Sequence, residues 1–103
     1  MNINQFREEN TITIKPEGWL DSVSSPELGE VIETIDSAER IILDLDAVEY
    51  IASSGVRQLV AAHRKANELS ASLSIINVCP EVMNIIKLTG INKKMDITPK
   101  ENA

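Results

Sequence analysis

The run Ile41-Ile42-Leu43-Asp44-Leu45 narrows the folds open to this 103-residue chain more than any other stretch. Four of its five residues are large and aliphatic, and the run is too short to make a helix of its own. It reads as a strand covered on both faces, and such strands belong to parallel or mixed sheets with helices packed on them. The flanks agree. Thr11-Ile12-Thr13-Ile14-Lys15 alternates as a half-buried strand does, punctuated by Pro16 and Gly18. Gly18-Trp19-Leu20-Asp21 is a second short extended piece, expected to pair back on the first. Ser25-Pro26-Glu27 then signals a helix start, with serine as N-cap, proline at the first helical position and an acid in the first turn. Leu28, Val31, Ile32 and Ile35 follow at helical spacing, while Glu27, Glu30, Glu33 and Asp36 occupy the other sides.

Downstream, Ser53-Ser54-Gly55 opens a helix whose apolar stripe is Val56, Leu59, Val60 and His63. Leu73 to Val78 is a strand; Pro80-Glu81 opens a third helix carrying Val82, Ile85, Ile86 and Leu88, and Gly90 is placed to end it. Met95 to Thr98 makes a last short strand. The order ββαβαβαβ predicts a single α/β domain over residues 1–103, with a core from roughly 10 to 98 and a mixed sheet of about five strands with helices packed on it.

Composition bounds the function. There is no apolar run long enough to span a bilayer, and MNINQFREEN lacks the apolar core of a signal peptide, so neither membrane insertion nor secretion is expected. The lone Cys79 cannot form an intramolecular disulfide and suits a reducing cytoplasm. A net charge of −6 argues against nucleic acid as a partner, and 3% aromatics leave no platform for stacking bases. The charge is uneven: residues 1–50 hold 12 acids and 3 bases, residues 51–103 hold 4 acids and 7 bases. That asymmetry is either the solvated surface of the helices or a field that steers a basic partner.

No catalytic constellation emerges. His63 is the only histidine, on an apolar stripe and without a second histidine or nearby cysteine, so it reads as a packing residue rather than a base or metal ligand. No Gly-x-Ser-x-Gly elbow and no phosphate-cradling glycine loop occurs. Asp44 and Asp46 mark a strand end and a turn rather than a carboxylate pair. No enzyme activity, cofactor or metal is expected.

The stretch IASSGVRQLV, residues 51–60, is the exception. Its adjacent serines either cap a helix by accepting bonds from the orphan first-turn amides, or one of them is a modification site. Gly55 permits close packing or an unusual backbone angle. A phosphate on a serine at a helix N-terminus meets unpaired N–H groups and the positive end of the dipole, so it is tolerated by the fold while adding about 1.5 to 2 negative charges to the surface.

The string from Ile41 to Leu59, IILDLDAVEYIASSGVRQL, resembles the central signature of STAS domains, the fold of bacterial anti-sigma factor antagonists. Gly18-Trp19-Leu20-Asp21 is similar to that family's Gly-x-Leu-Asp element, Leu73 to Pro80 to its fourth strand and turn, and Leu88-Thr89-Gly90-Ile91 to the Leu-Thr-Gly-Leu ending of its third helix. The resemblance implies a cytoplasmic, non-enzymatic partner-switching regulator. In such a system the unphosphorylated antagonist binds an anti-sigma factor that is also a serine kinase, and phosphorylation releases it. The acceptor serine, directly before the glycine, maps to Ser54, and the aspartate near it maps to Asp21. Ser53 is the expected helix cap. Asp21, Ser53, Ser54, Gly55, Arg57 and Gln58 form the implied partner surface. Arg57 either pairs with an acidic group on the partner or simply faces solvent; Gln58, Ala61 and Lys65 are expected on the exposed side of the helix. Ala52 stands where the family's commonest form has aspartate. A phosphatase would reset the switch, and the domain alone is expected to be a monomer. A second reading, from another functional class, is a STAS subunit of a membrane lipid ABC transporter bound to its ATPase.

Overall fold

The computed structural model describes residues 1–101. Its elements are β1 (Ile3–Glu8), β2 (Thr11–Pro16), β3 (Gly18–Leu20), α1 (Ser25–Glu33), β4 (Arg40–Asp44), β5 (Val48–Ile51), α2 (Ser53–Leu69), β6 (Ser72–Val78), α3 (Pro80–Thr89), a 3₁₀ turn (Ile91–Lys93) and β7 (Asp96–Pro99). The expected mixed sheet of five strands is present, in the order β1-β2-β4-β6-β7. The β1–β2 pair is antiparallel, and the β2–β4, β4–β6 and β6–β7 pairs are parallel. Among the described residues, no helix is long and apolar enough to cross a membrane.

Two strands were absent from the expected order, β1 and β5, and Gly18–Leu20 pairs with a different partner. Instead of folding back on β2, β3 lies parallel to β5 in a separate two-stranded sheet. Gly18 makes this possible: at φ +92° it turns the chain out of β2, and its amide donates to the Ala47 carbonyl at 2.8 Å. Leu20 and Ile51 of this small sheet are buried, whereas Trp19 and Tyr50 point outward.

The strand that fixes the architecture is covered on one face, not two. Ile41 and Leu43 are buried, while the alternating Ile42 and Asp44 are half-buried. Ile12, Ile14, Ile41, Leu43 and Ile75 share a core with Leu28 and Ile32 of α1, Leu59, Ala62 and Ala66 of α2, and Val82, Met83 and Ile86 of α3. All three helices thus pack on the same side of the sheet. The long aliphatic run is explained by its central place in the sheet, where both neighbours shield even its outward residues.

Two helix stripes are rotated from expectation. The buried face of α2 is Gly55, Val56, Leu59, Ala62 and Ala66, which leaves His63 one residue past the stripe. It sits half-buried at the helix edge, with Nε2 3.5 Å from the Asn67 amide nitrogen. On α3 the stripe is Val82, Met83 and Ile86; Leu88, two residues beyond and on the far side, is 84% exposed.

Candidate functional site

The serine-rich stretch forms the junction between β5 and α2. The chain leaves β5 at Ile51, and Ala52, with extended backbone angles, is the N-cap of α2. Its amide donates to the Leu20 carbonyl at 2.8 Å, tying the helix entry to β3. Ser53 and Ser54 are therefore the first two helical residues, and no side chain caps the helix. The expected capping role of Ser53 is not what the structure shows, for a physical reason: a cap needs non-helical angles, and the break from extended to helical backbone falls one residue earlier. With no carbonyl four residues behind them inside the helix, the Ser53 and Ser54 amides face outward at the positive end of a 17-residue helix.

Gly55 is required by packing rather than by backbone angle. A Cβ there would lie 2.6 Å from Ile51 Cγ1, 2.7 Å from the Leu20 carbonyl oxygen and 2.8 Å from Leu20 Cβ. Its absence lets the first turn of α2 press onto the β3–β5 sheet and sets the height at which Ser53 and Ser54 emerge. Ser53 is exposed and Ser54 half-buried.

Asp21 reaches this site through the start of α1. Its Oδ1 accepts bonds from the amides of Val23 and Ser24, both at 3.0 Å, and its amide donates to Ser24 Oγ at 3.1 Å. Ser24 Oγ in turn donates to the Trp19 carbonyl. The Ser24 amide, followed by that of Val23, holds the Asp21 carboxyl below the usual aspartate value, since both bonds favour the ionised form. This turn delivers the chain into α1, whose N-cap is Ser24 rather than Ser25; the Ser25 amide donates to the Asp21 carbonyl at 2.9 Å. Ser25 is 1% exposed, and its Oγ donates to Ser54 Oγ at 3.5 Å. Asp21, Ser24, Ser25 and Ser54 thus form one polar chain linking the two helix starts.

The other candidates divide by helix face. Arg57, one turn after Ser53, is exposed. Gln58, one turn after Ser54, is not on an open face: it lies against α1, so that a Cβ on Gly29 would meet its Oε1 at 2.8 Å. With Pro26, Gly29, Glu30, Glu33, Thr34 and Ala61 it lines a groove of ≈ 640 Å³ between α1 and α2. Lys65 also turns toward α1, donating to the Glu33 carbonyl at 3.4 Å. Gln58, Ala61 and Lys65 therefore face the neighbouring helix, not free solvent.

An aromatic pair beside the site escaped the sequence reading. Trp19 and Tyr50 are 59% and 45% exposed, with ring centroids 5.5 Å apart and planes tilted by 53°. Each precedes one of the residues packed on Gly55. The signal was the neighbours: with Leu20 and Ile51 committed to the core, alternation sends Trp19 and Tyr50 outward. Val23, in the Asp21 turn, is also exposed.

Chemically, the arrangement offers a reachable hydroxyl, outward amides and an apolar rim. His63 lies nine residues past Ser54, about 13 Å along α2, out of reach of its hydroxyl. Asp44 and Asp46 sit elsewhere: Asp44 Oδ1 accepts from the Asp46 amide and from Asn77 Nδ2, both at 3.0 Å, and Asp46 pairs with Lys100 at 3.1 Å.

Comparison with known proteins places this geometry. A family model described as STAS domain matches residues 2–103. An anti-sigma-B factor antagonist of Staphylococcus aureus is 26% identical over 99 residues, spanning 94% of this chain and 92% of that one. The crystal structure of an anti-sigma factor antagonist from Mycobacterium paratuberculosis superimposes with a TM-score of 0.85 at 25% identity, covering 95% of this chain and 85% of the other. The Bacillus cell fate determinant SpoIIAA in its phosphorylated form shares the fold, with a TM-score of 0.73 at 18% identity over 93% of this chain and 90% of that one.

Proposed function

Since the chain belongs to the STAS domain family, we propose that it acts as an anti-sigma factor antagonist, a non-enzymatic cytoplasmic module that binds an anti-sigma factor with serine kinase activity and is released when Ser54 is phosphorylated. The observation that carries this reading is the state of Ser54: a first-turn hydroxyl, half-exposed and not consumed by capping, held at the surface by the close approach at Gly55. Ala52 as N-cap supplies no side-chain acceptor, so a phosphate on Ser54 is the anion that the outward amides lack. The kinase supplies Mg-ATP and the base; this chain supplies the acceptor.

Asp21, Ser53, Ser54 and Arg57 make the surface the partner covers, with the buried Gly55 setting its height and Gln58 at the groove beside it. An uncompensated charge introduced into such an interface costs on the order of 2–5 kcal/mol, a weakening of roughly 30-fold to a few thousand-fold. A phosphatase restores the binding form. The reading draws support from relatives named as antagonists and from a protein of the same fold solved in a phosphorylated form. Relatives with those names do not favour the transporter-subunit alternative.

The test is capture from the native host's lysate with tagged wild type and Ser54→Asp, followed by identification of what is bound and incubation with Mg-ATP. Wild type is expected to retain a kinase-type ATPase that Ser54→Asp fails to retain, and that kinase is expected to place one phosphoryl group on Ser54. Equal capture by both proteins overturns the phosphoswitch.

A further inference from the structure

We propose that β1 is a self-association edge, through which two copies of this chain pair antiparallel about a two-fold axis at Gln5 and join their sheets into one. The backbone shows which groups are free to do so. The Glu17 amide donates to the Asn2 carbonyl at 3.0 Å, so Asn2 turns its polar groups toward β2. By alternation Asn4, Phe6 and Glu8 do the same. Ile3 stands opposite Pro16, which has no N–H to give. The N–H and C=O groups of Ile3, Gln5 and Arg7 therefore point away from the sheet, along an edge with no neighbour in the strand order.

Of the devices that blunt strands against pairing, this edge has only the charges of Arg7 and Glu8 at one end. The opposite edge, β7, has four residues, ends in Pro99 and shifts register against β6. β1 runs for six residues, contains no proline or lysine, and pairs with β2 in unbroken register from Ile3 to Glu8.

Its sequence also complements itself. With the axis at Gln5, Ile3 meets Arg7 of the second copy and Gln5 meets Gln5, so all three outward residues exchange bonds on both sides. Asn4 falls opposite Phe6, and Asn2 opposite Glu8, so no like charges face each other. The two Arg7 side chains are about 14 Å apart along the strands, beyond the Debye length of about 8 Å at physiological salt. Moving the axis to Arg7 would set arginine against arginine. Phe6 adds apolar surface: it is 59% exposed, on the sheet face that the helices leave open, and the pairing puts the two Phe6 rings on the diagonal, about 7–8 Å apart at the backbone and within reach of each other. On this proposal the chain forms a weak, two-fold symmetric dimer, where a lone monomer was expected.

The interface is small, so the expected dissociation constant is on the order of 10–100 µM. Sedimentation equilibrium across that range is expected to show the mass rising from 11.4 kDa toward twice that value. Gln5→Pro removes an outward N–H without touching the β1–β2 ladder, and is expected to stay at 11.4 kDa with wild-type circular dichroism. In case that variant folds poorly, Gln5→Cys in a Cys79→Ser background is expected to oxidise to a covalent dimer, whereas Arg7→Cys, facing Ile3, is not. A mass of 11.4 kDa for wild type throughout overturns the proposal. So does a dimer that well-folded Gln5→Pro leaves intact, or equal crosslinking at positions 5 and 7.

Discussion

The hydroxyl of Ser25, buried in the first turn of α1, stands 3.5 Å from the hydroxyl of Ser54 in the first turn of α2. Both helices therefore begin at one point on the surface, and a change at Ser54 is felt where α1 starts as well as in the solvent.

That contact sets an expectation for stability. Ser54→Asp brings a carboxylate to the outward amides of α2 and offers the Ser25 hydroxyl a better acceptor, so unfolding free energy is expected to match wild type within about 0.5 kcal/mol or exceed it. Ser54→Ala leaves the Ser25 hydroxyl unpartnered and is expected to cost about 1 kcal/mol. Urea denaturation at neutral pH checks both. A loss above about 2 kcal/mol in Ser54→Asp would mean that the fold does not tolerate an anion here, and the proposed switch would fail with it.

Two helical glycines are expected to respond in opposite ways to alanine. At Gly55 the new methyl meets the Leu20 carbonyl oxygen and the Ile51 side chain below 3 Å, both in buried, fixed positions. Overpacking of this kind costs about 1–3 kcal/mol and outweighs the gain in helix propensity. At Gly29 the nearest atom, at 2.8 Å, is the amide oxygen of Gln58, the end of a flexible side chain. That side chain can turn aside, so Gly29→Ala is expected to be neutral or to stabilise by up to about 1 kcal/mol. Urea midpoints of the two variants settle the order.

How much of this was legible in the sequence depends on what each residue buries. Ile12, Ile14, Ile41, Leu43 and Ile75 bury their side chains, and the strands they mark were readable. β1 carries only a half-buried Ile3 followed by five exposed residues; it is a strand by backbone pairing alone, so hydrophobic periodicity had nothing to register. β3 is three residues long, too short to name its partner. The caps were ambiguous for a different reason. In Ser24-Ser25 and Ser53-Ser54 every serine is chemically suited to cap, and residue type alone does not single out Ser24 and Ala52, the N-caps of α1 and α2. At the site, Ser54, Gly55 and Asp21 stood out by residue type and spacing. The turn that binds Asp21 to Ser24 and the outward Trp19–Tyr50 pair required knowing that β3 and β5 lie side by side.

Asp21 gives a pH dependence with a definite sign. Its folded pKa is depressed, first by the Ser24 amide and then by that of Val23, so the ionised carboxylate stabilises the α1 entry turn. That contribution is complete above the unfolded aspartate pKa and disappears as pH falls through the lower folded value. The difference in urea midpoint between wild type and Asp21→Asn is therefore expected to stay constant from neutral pH to about pH 5 and to shrink on further acidification. An Asp21 carboxyl resonance that titrates above the usual aspartate value in NMR would contradict this.

The third helix supplies the sharpest test of the rotated stripe. Ile86 is fully buried and Leu88 is 84% exposed, although both looked like core residues in the sequence. Ile86→Ala removes methylene groups from the interior and leaves a cavity, for an expected loss of about 2–5 kcal/mol. Leu88→Gln exchanges one exposed helix former for another of similar propensity and is expected to change stability by less than about 0.5 kcal/mol. Thermal and urea unfolding of the pair decide between the two orientations. Comparable losses in both variants would place Leu88 in the core and turn α3 back by half a face; a loss confined to Ile86 fixes Val82, Met83 and Ile86 as the surface by which α3 holds the sheet.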